Sequence, residues 1–510
     1  MRPEKRSFRL KIPLLFAALS ALLLFVLPAC SRNSAADENA DTQAPSYPRI
    51  VMTFLVDDRS TLTDELPAVS EELNRITREE IGLEVELLPV TEKEIASRFP
   101  LWMSDQEKID LVFIENSEIS RYFGRKMLHS VDEYLYGDGA KMDALTGSGH
   151  DLTEGAVNRG FTYGISNVDD SNLYGRAYVM SKEALDRAGI VIDASKVYTM
   201  EEAGEVFRIL KAQNRSVYPA CSLTAEEGSV TENYVSSSYF SSSSEMIGID
   251  YNRAAGRFFN RYASAFYRDF ISTQRSWYLE GLLYPDVLLS DYSPKELARA
   301  GIILGYASDN SPEHLSDSGF PDGAVMMNMA KTYRRTGHAG SGYWSVPLTA
   351  EDPEASLRFL NLMYGDARIT NLLSYGIEGI HYTVSDRENG LIEGVRKDDG
   401  SYLYDNPYRI YGNQEQAYRR MNKEVLSAYL KWKESAEPVS DPAEALSWQS
   451  DDYAAEIKAV QEAVARYAPL LESGSADLEV YYPRFLKALT DAGINKLVSA
   501  RQKAVLPEDG

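Results

Sequence analysis

The stretch from residue 49 to 136 does most to limit how this chain can fold. "RIVMTFLV" (49–56) is an unbroken apolar, β-branched run of the kind that makes a buried strand. "ELPAVSEELNRITREEIG" follows, with apolar residues at helical spacing and a glycine stop. "LEVELLPV" alternates as a second strand, and "EKEIASRFPLWMSDQEK" reads as helical in its first half. "IDLVFIEN" is a third buried strand, and "ISRYFGRKMLHSVDEYLY" a further helical stretch. This alternation predicts a parallel sheet with helices on its faces. In open sheets of that kind ligands sit beyond the carboxyl ends of the strands. Asp57, Asp58, Glu115 and Asn116 stand at those ends, where each also suits a plain loop or cap position.

Downstream, "GFTYGISN" to "YGRAYVMSKEALDRAGI" is strand-like and then helical. "TMEEAGEVFRILKAQN" carries the Thr199 and Glu202 pair of a helix start. Residues 227–247, rich in serine and tyrosine, read as a loop. "RFFNRYASAFYRDFISTQRSWYLEGLL" reads as one long helix ending near Gly281, "GIILGYAS" as another buried strand, and the C-terminal third as mainly helical. With 44% apolar residues in 510, two domains or more are expected.

The amino terminus has a different character. "MRPEKRSFRLK" is basic, and "IPLLFAALSALLLFVL" (12–27) is uncharged and shorter than the roughly 20 residues of a membrane span. That order is the pattern of a secretory signal over residues 1–29. "LPAC" (27–30) resembles the lipobox of bacterial lipoproteins, in which Cys30 would take a diacylglyceryl group after cleavage. One acyl chain anchors only marginally, at about 0.8 kcal/mol per buried methylene, whereas two hold stably. "SRNSAADENADTQAPSYP" has no apolar period and suits a flexible tether over 30–48, reaching about 23 Å. Without residues 1–29 the formal net charge moves from −23 to −27, since five basic residues and one acid leave with them. So acidic a chain has no electrostatic footprint for nucleic acid. With Cys30 lipidated, Cys221 would have no disulfide partner.

Signatures of catalysis are missing from the sequence. Its five histidines, His129, His150, His314, His338 and His381, form no HExxH pair, and there is no CxxC, phosphate loop or GxSxG elbow. "DDGSYLYDN" (398–406) lacks the spacing of a calcium loop and reads as a turn. No cofactor, no metal and no enzymatic activity are expected. The chain is instead rich in aromatics, with 33 tyrosines, 17 phenylalanines and five tryptophans. Most belong to cores, but aromatic faces also stack on sugars.

"YWSVPLTAEDPEASLRFLNLMYGDARITNLLSYGIEGIHYTV" (343–384) resembles a signature of the extracellular solute-binding proteins of ABC importers. The likeness is to the family-1, sugar-type group and its LplA-like lipoproteins. Asp352 to Ala355, Phe359 to Tyr364, Asp366, Asn371 to Leu373, Tyr375 to Gly379, His381 and Tyr382 carry the match. "QRSWYLEGLLYPD", "ARAGIILGYASDNSPE", "RIYGNQ" and "LTDAGINKLVSARQKAV" extend it. The serine-rich 227–247 loop has no counterpart in the pattern. This resemblance implies an α/β, two-lobed, type II clam-shell with a helical C-terminal extension. The first lobe would hold 49–163 plus about 320–375, and the second about 178–318 plus about 376–510. It implies an extracellular, lipid-anchored protein that hands a carbohydrate to ABC permease subunits. The candidate ligand contacts are Asp57, Asp58, Glu115, Asn116, Tyr163, Trp277, Tyr343, Trp344 and Tyr375. An exported carbohydrate-active enzyme, or a ligand-sensing lipoprotein without transport, is compatible with the same residues.

Overall fold

A computed structural model describes residues 47–57, 62–116, 118–136, 152–153, 155–170, 172–221, 239–241, 246–250, 257–336, 340–440 and 450–505. The expected signal, Cys30 and the tether as far as residue 46 therefore lie outside the described residues, as does Asp58. No helix among the described residues is long and apolar enough to cross a membrane.

The first sheet grows from the alternating N-terminal segment. β1 (Arg49–Leu55) runs parallel to β2 (Glu84–Val90), with Arg49 opposite Glu84 and Leu55 opposite Val90. β3 (Val112–Glu115) continues the sheet on the other side of β1 through Met52 and Leu111. Between them run α1 (Leu62–Ile81) and α2 (Glu92–Asp105). Thr91 starts α2 by accepting from Glu94 N–H, while the Glu94 carboxylate accepts from Thr91 N–H. That helix runs past its expected first half because Ile95, Phe99 and Trp102 keep one buried face as far as Asp105. Short α3 (Ile119–Gly124) follows β3. β4 (Ile165–Ser166) lies at the far edge of the sheet.

The chain then leaves this sheet through β5 (Leu173–Tyr174) and enters a second one with β6 (Ala177–Ser181). β6 is antiparallel to both β7 (Gly305–Ser308) and β8 (Ala324–Asn328). Residues 218–221 add a strand edge parallel to β7, and Leu283 pairs in parallel with Ala220 beyond it. The chain returns through β9 (Tyr333–Thr336) to β10 (Gly342–Ser345). β10 inserts antiparallel between β3 and β4, so the first sheet reads β2-β1-β3-β10-β4. The first sheet is thus completed by one antiparallel strand that returns from the other lobe.

Two cores match the two sheets. One contains Met52, Phe54, Leu73, Phe113, Trp344, Leu360 and Leu373, with Tyr404, Ile410 and Tyr411. Around the second sheet, one cluster holds Tyr262, Ile271, Ile303, Leu471, Phe485 and Leu497, and a neighbouring one Phe207 and Trp277. The lobe boundaries differ from those expected. β8 pairs with β6 in the second sheet, so the return comes at about 333–341 rather than 320. Residues 404–411, expected with the second lobe, pack into the first core. The long helix expected from 257 is divided: Arg257–Phe259 is a strand, and α4 (Ala265–Leu279) begins only after Ser264 caps it. Arg257–Phe259 pairs with Gly248–Asp250, which removes those residues from the helix.

After β10 come α5 (Pro353–Gly365), the helix Ala367–Tyr375 and α6 (Lys423–Glu434). β11 (Glu437–Ser440) then carries the chain to α7 (Ala454–Glu472), α8 (Leu478–Ala492) and α9 (Ile494–Val505). Leu471, Phe485, Leu489 and Leu497 from these last helices complete the second core.

Candidate functional site

Three short segments join the halves. β9 lies antiparallel to β5 and parallel to β11, so all three meet in one small sheet. The strand ends nearest to it mark where a ligand could touch both lobes. On the first lobe these are Glu115 and Asn116 after β3, opposite Ser341 and Gly342 before β10. On the second they are Ser308, Asp309 and Asn310 after β7, opposite Ala177 at the start of β6. Strand ends are where ligands bind in open α/β sheets.

Polar groups hold the strand ends in register. Asn116 Nδ2 donates to Gly340 O at 2.9 Å, and Gly342 N donates to Asn167 Oδ1 at 3.1 Å. Asn167 Nδ2 in turn donates to Asp169 at 2.7 Å. Helix α6 braces the crossing. Tyr429 donates to the Asp170 carboxylate, Lys433 pairs with Asp170 at 2.8 Å, and Trp432 Nε1 donates to Asn310 Oδ1 at 2.9 Å. Beside them Asp309 and His314 form a 2.8 Å pair. Burial alone would lower the His314 pKa, but the charge and hydrogen bond of Asp309 outweigh it and hold His314 above its ordinary value. Asp309 is held below the usual carboxylate range: its burial opposes this, and His314, Ser311 N–H and Arg176 overcome that burial.

A hollow of about 360 Å³ opens at the carboxyl ends of β1 and β3. Leu55, Phe113 and Ile114 line it from the strands, Glu92, Lys93, Ile95 and Ala96 from the first turn of α2, and Glu118 and Tyr122 from α3. Glu115 closes one side. Glu92 is open to water, yet the surrounding protein raises its carboxyl pKa, as happens in a recess. Burial, with the charges of Glu118 and Glu115 adding to it, pushes the Tyr122 phenol up to about 12. Glu118 pairs with Arg121 at 3.0 Å.

The candidate residues divide sharply. Asp57 and Glu115 are exposed at strand ends, and Asn116 is half-buried beside Glu115. Tyr163 is partly buried against the Phe123 ring, 5.6 Å away. The other aromatics are not at a surface. Trp344 is 0% exposed, lies 5.3 Å from Phe113, and donates Nε1–H to Ile410 O at 2.8 Å. Tyr343 is equally buried, on the opposite face of the same strand. Trp277 packs on Phe207 at 5.1 Å inside the second lobe. Tyr375 is 5% exposed, and both the Arg409 and Arg420 guanidiniums lie over its ring. All four are enclosed by neighbouring side chains or backbone, and none is turned to solvent in this structure. Reading the sequence missed Glu92, Glu118, Tyr122, Asp309 and His314. Glu92 had one available signal: it opens the helix that directly follows β2.

Solved structures share this architecture. The N-glycan transport solute-binding protein NgtS of Streptococcus pneumoniae is 17% identical, with 90% of this chain and 98% of that one covered and a TM-score of 0.72. Its complex with Man5GlcNAc scores 0.65 at 18% identity over the same shares. The fold is that of the ABC-transporter solute-binding proteins. An HMO-binding solute-binding protein of Bifidobacterium longum infantis (13% identity, 90% and 99% covered, TM-score 0.59) has the same solute-binding fold. So does the alginate-binding protein AlgQ2 (14%, 90% and 98%, 0.59). Residues 446–505 match a family model described as a domain of unknown function, DUF3502, which in this solute-binding fold covers α7 to α9. No curated protein matches the sequence.

Proposed function

We propose that this chain is the solute-binding component of an ABC importer for oligosaccharides, held at the outer face of the cell membrane by a lipid on Cys30. The observation that carries the reading is the pair of sheets whose strand ends face one shared three-stranded crossing. A guest that touches both halves stabilises the closed arrangement by its differential affinity alone. Closure then joins surfaces of the two lobes that a permease can read. Relatives in fold that are named for N-glycan, HMO and alginate binding favour a carbohydrate as the guest. The acidic body and the tether favour a protein that stays clear of the lipid surface except at its anchor.

Thermal unfolding with a panel of oligosaccharides tests the reading. A true ligand at 100 times its Kd adds about 2.7 kcal/mol of stability and raises the midpoint. A flat panel, or chemical turnover of a sugar, would overturn it. Replacing Cys30 with serine should move the protein from the membrane fraction to the medium, and continued retention would remove the lipid anchor from the proposal.

A further inference from the structure

Two consecutive residues in the last turn of α6 reach opposite lobes. Trp432 Nε1 donates to Asn310 Oδ1 at 2.9 Å, and Asn310 is a buried residue just past β7 of the second sheet. Lys433 pairs with Asp170 at 2.8 Å and with Glu415 at 3.2 Å. Asp170 follows β4 of the first sheet, and Glu415 stands next to Gln414, whose N–H donates to Val168 O at 2.8 Å in the first core. Neighbours on an α-helix point about 100° apart, so one rigid turn presents a side chain to each lobe. The same turn is fastened to the crossing itself. Arg334 of β9 donates from Nη2 to Lys433 O at 2.9 Å, and Asn310 Nδ2 donates to Thr332 Oγ1, just before β9, at 3.0 Å. A further tie runs directly between the lobes. Arg419, whose neighbour Tyr418 bonds to Asn371 of the first lobe, meets Glu313 at 3.3 Å and lies 4.3 Å over the Tyr429 ring.

We propose that Trp432 and Lys433 are positioning residues that hold the two lobes at a set angle in the unliganded protein. The inference deepens the solute-binding reading above and takes the hinge from it. Rotating one lobe against the other about β5, β9 and β11 carries Asn310 and Asp170 different ways, so α6 cannot keep both contacts at full strength. Hydrogen bonds weaken steeply as they bend and lengthen, and the charge-assisted ones have most to lose. The Lys433 and Asp170 side chains are 17% and 25% exposed, so salt screens this pair less than it screens pairs at the open surface. The lobes therefore move only after this two-sided brace gives, and its strength sets how many unliganded molecules stand ready to close.

Distance measurement between two spin labels on the unliganded protein tests this. The labels go on Leu101→Cys in α2 and Leu279→Cys at the end of α4, exposed positions on the two lobes, in the full chain carrying Cys30→Ser. Cys221 is buried and keeps its thiol from the label. The parent should give one narrow distance distribution. Lys433→Gln and Trp432→Phe should each broaden it, with the helical circular dichroism of the parent retained. Trp432→Phe keeps a ring in place and loses only the donor, so it decides the matter where Lys433→Gln fails to fold. An unchanged width in either folded variant would overturn the two-sided brace. No sugar enters the measurement, so that result leaves the importer reading standing, whereas a flat oligosaccharide panel removes the importer reading and leaves the brace.

Discussion

Tyr267 donates its phenolic hydroxyl to the Glu472 carboxylate at 2.9 Å, with both side chains buried, and so ties α4 of the second lobe to the end of α7. Burial, reinforced by the Glu472 charge, holds the Tyr267 pKa well above its ordinary value, so the phenol stays a donor at any physiological pH. Around the pair, Tyr482 donates to Tyr262 O at 2.8 Å, and Arg275 reaches Gly474 O at 2.9 Å. The segment matched by DUF3502 is therefore a structural part of the second lobe.

Tyr267→Phe leaves the Glu472 carboxylate short of a buried donor. Stability should fall by about 1–3 kcal/mol, read as a lower urea midpoint. A change within 0.3 kcal/mol would mean that water or another donor satisfies Glu472.

Trp344→Ala removes a fully enclosed indole beside Phe113 and Tyr411. The expected loss is about 3–5 kcal/mol, the usual range for an aromatic deleted from a core. Calorimetry of the unliganded variant checks this. Unchanged melting with lost sugar binding would instead return Trp344 to the ligand.

Gly175 sits where an added Cβ would come within 2.3–2.5 Å of the Asn310 amide. Asn310 is itself committed to Thr332 at 3.0 Å and to Trp432. Gly175→Ala should therefore disturb the brace at the lobe crossing, destabilising by about 1–3 kcal/mol and weakening sugar affinity. A variant that melts and binds like the parent would show that Asn310 has another place to go.

The Asp309–His314 pair predicts a dependence on pH. The His314 pKa is raised in the folded protein, so its contribution is complete below its unfolded value near 6.5 and fades as pH climbs through the folded value. The Asp309 pKa is lowered, so its share is present above the unfolded value near 3.8 and fades as pH falls through the folded value. The pair should therefore stabilise most between about pH 4 and 6.5. Melting temperatures across pH 5 to 9 should decline less steeply above neutrality in His314→Gln than in the parent. Because both side chains still meet water, the difference is modest. Parallel pH profiles would exclude the pair as a source of stability.

Much of the framework could be read from the chain before any coordinates. β1, α1, β2, α2 and β3 follow from apolar runs and helical spacing, and the Thr199–Glu202 start of a helix is present with its capping hydrogen bonds. Asp57, Glu115 and Asn116 were legible as strand-end residues because position in a parallel sheet depends only on strand direction. The aromatic candidates were not, since a tryptophan suits a core and a sugar platform equally well. "GYWSVP" shows the difficulty: Tyr343 and Trp344 look prominent in sequence, yet both side chains are fully buried, Trp344 against Phe113 and Tyr411.

By itself, the sequence determined where strands and helices begin and end through most of the first lobe, because those depend on neighbours a few residues away. Only the tertiary structure decided which side chains line a recess. Glu92 and Tyr122 are 30 residues apart and meet only once α2 and α3 both pack at the ends of β1 and β3. Local periodicity carries no information about such a meeting, since it arises from burial shared among distant segments.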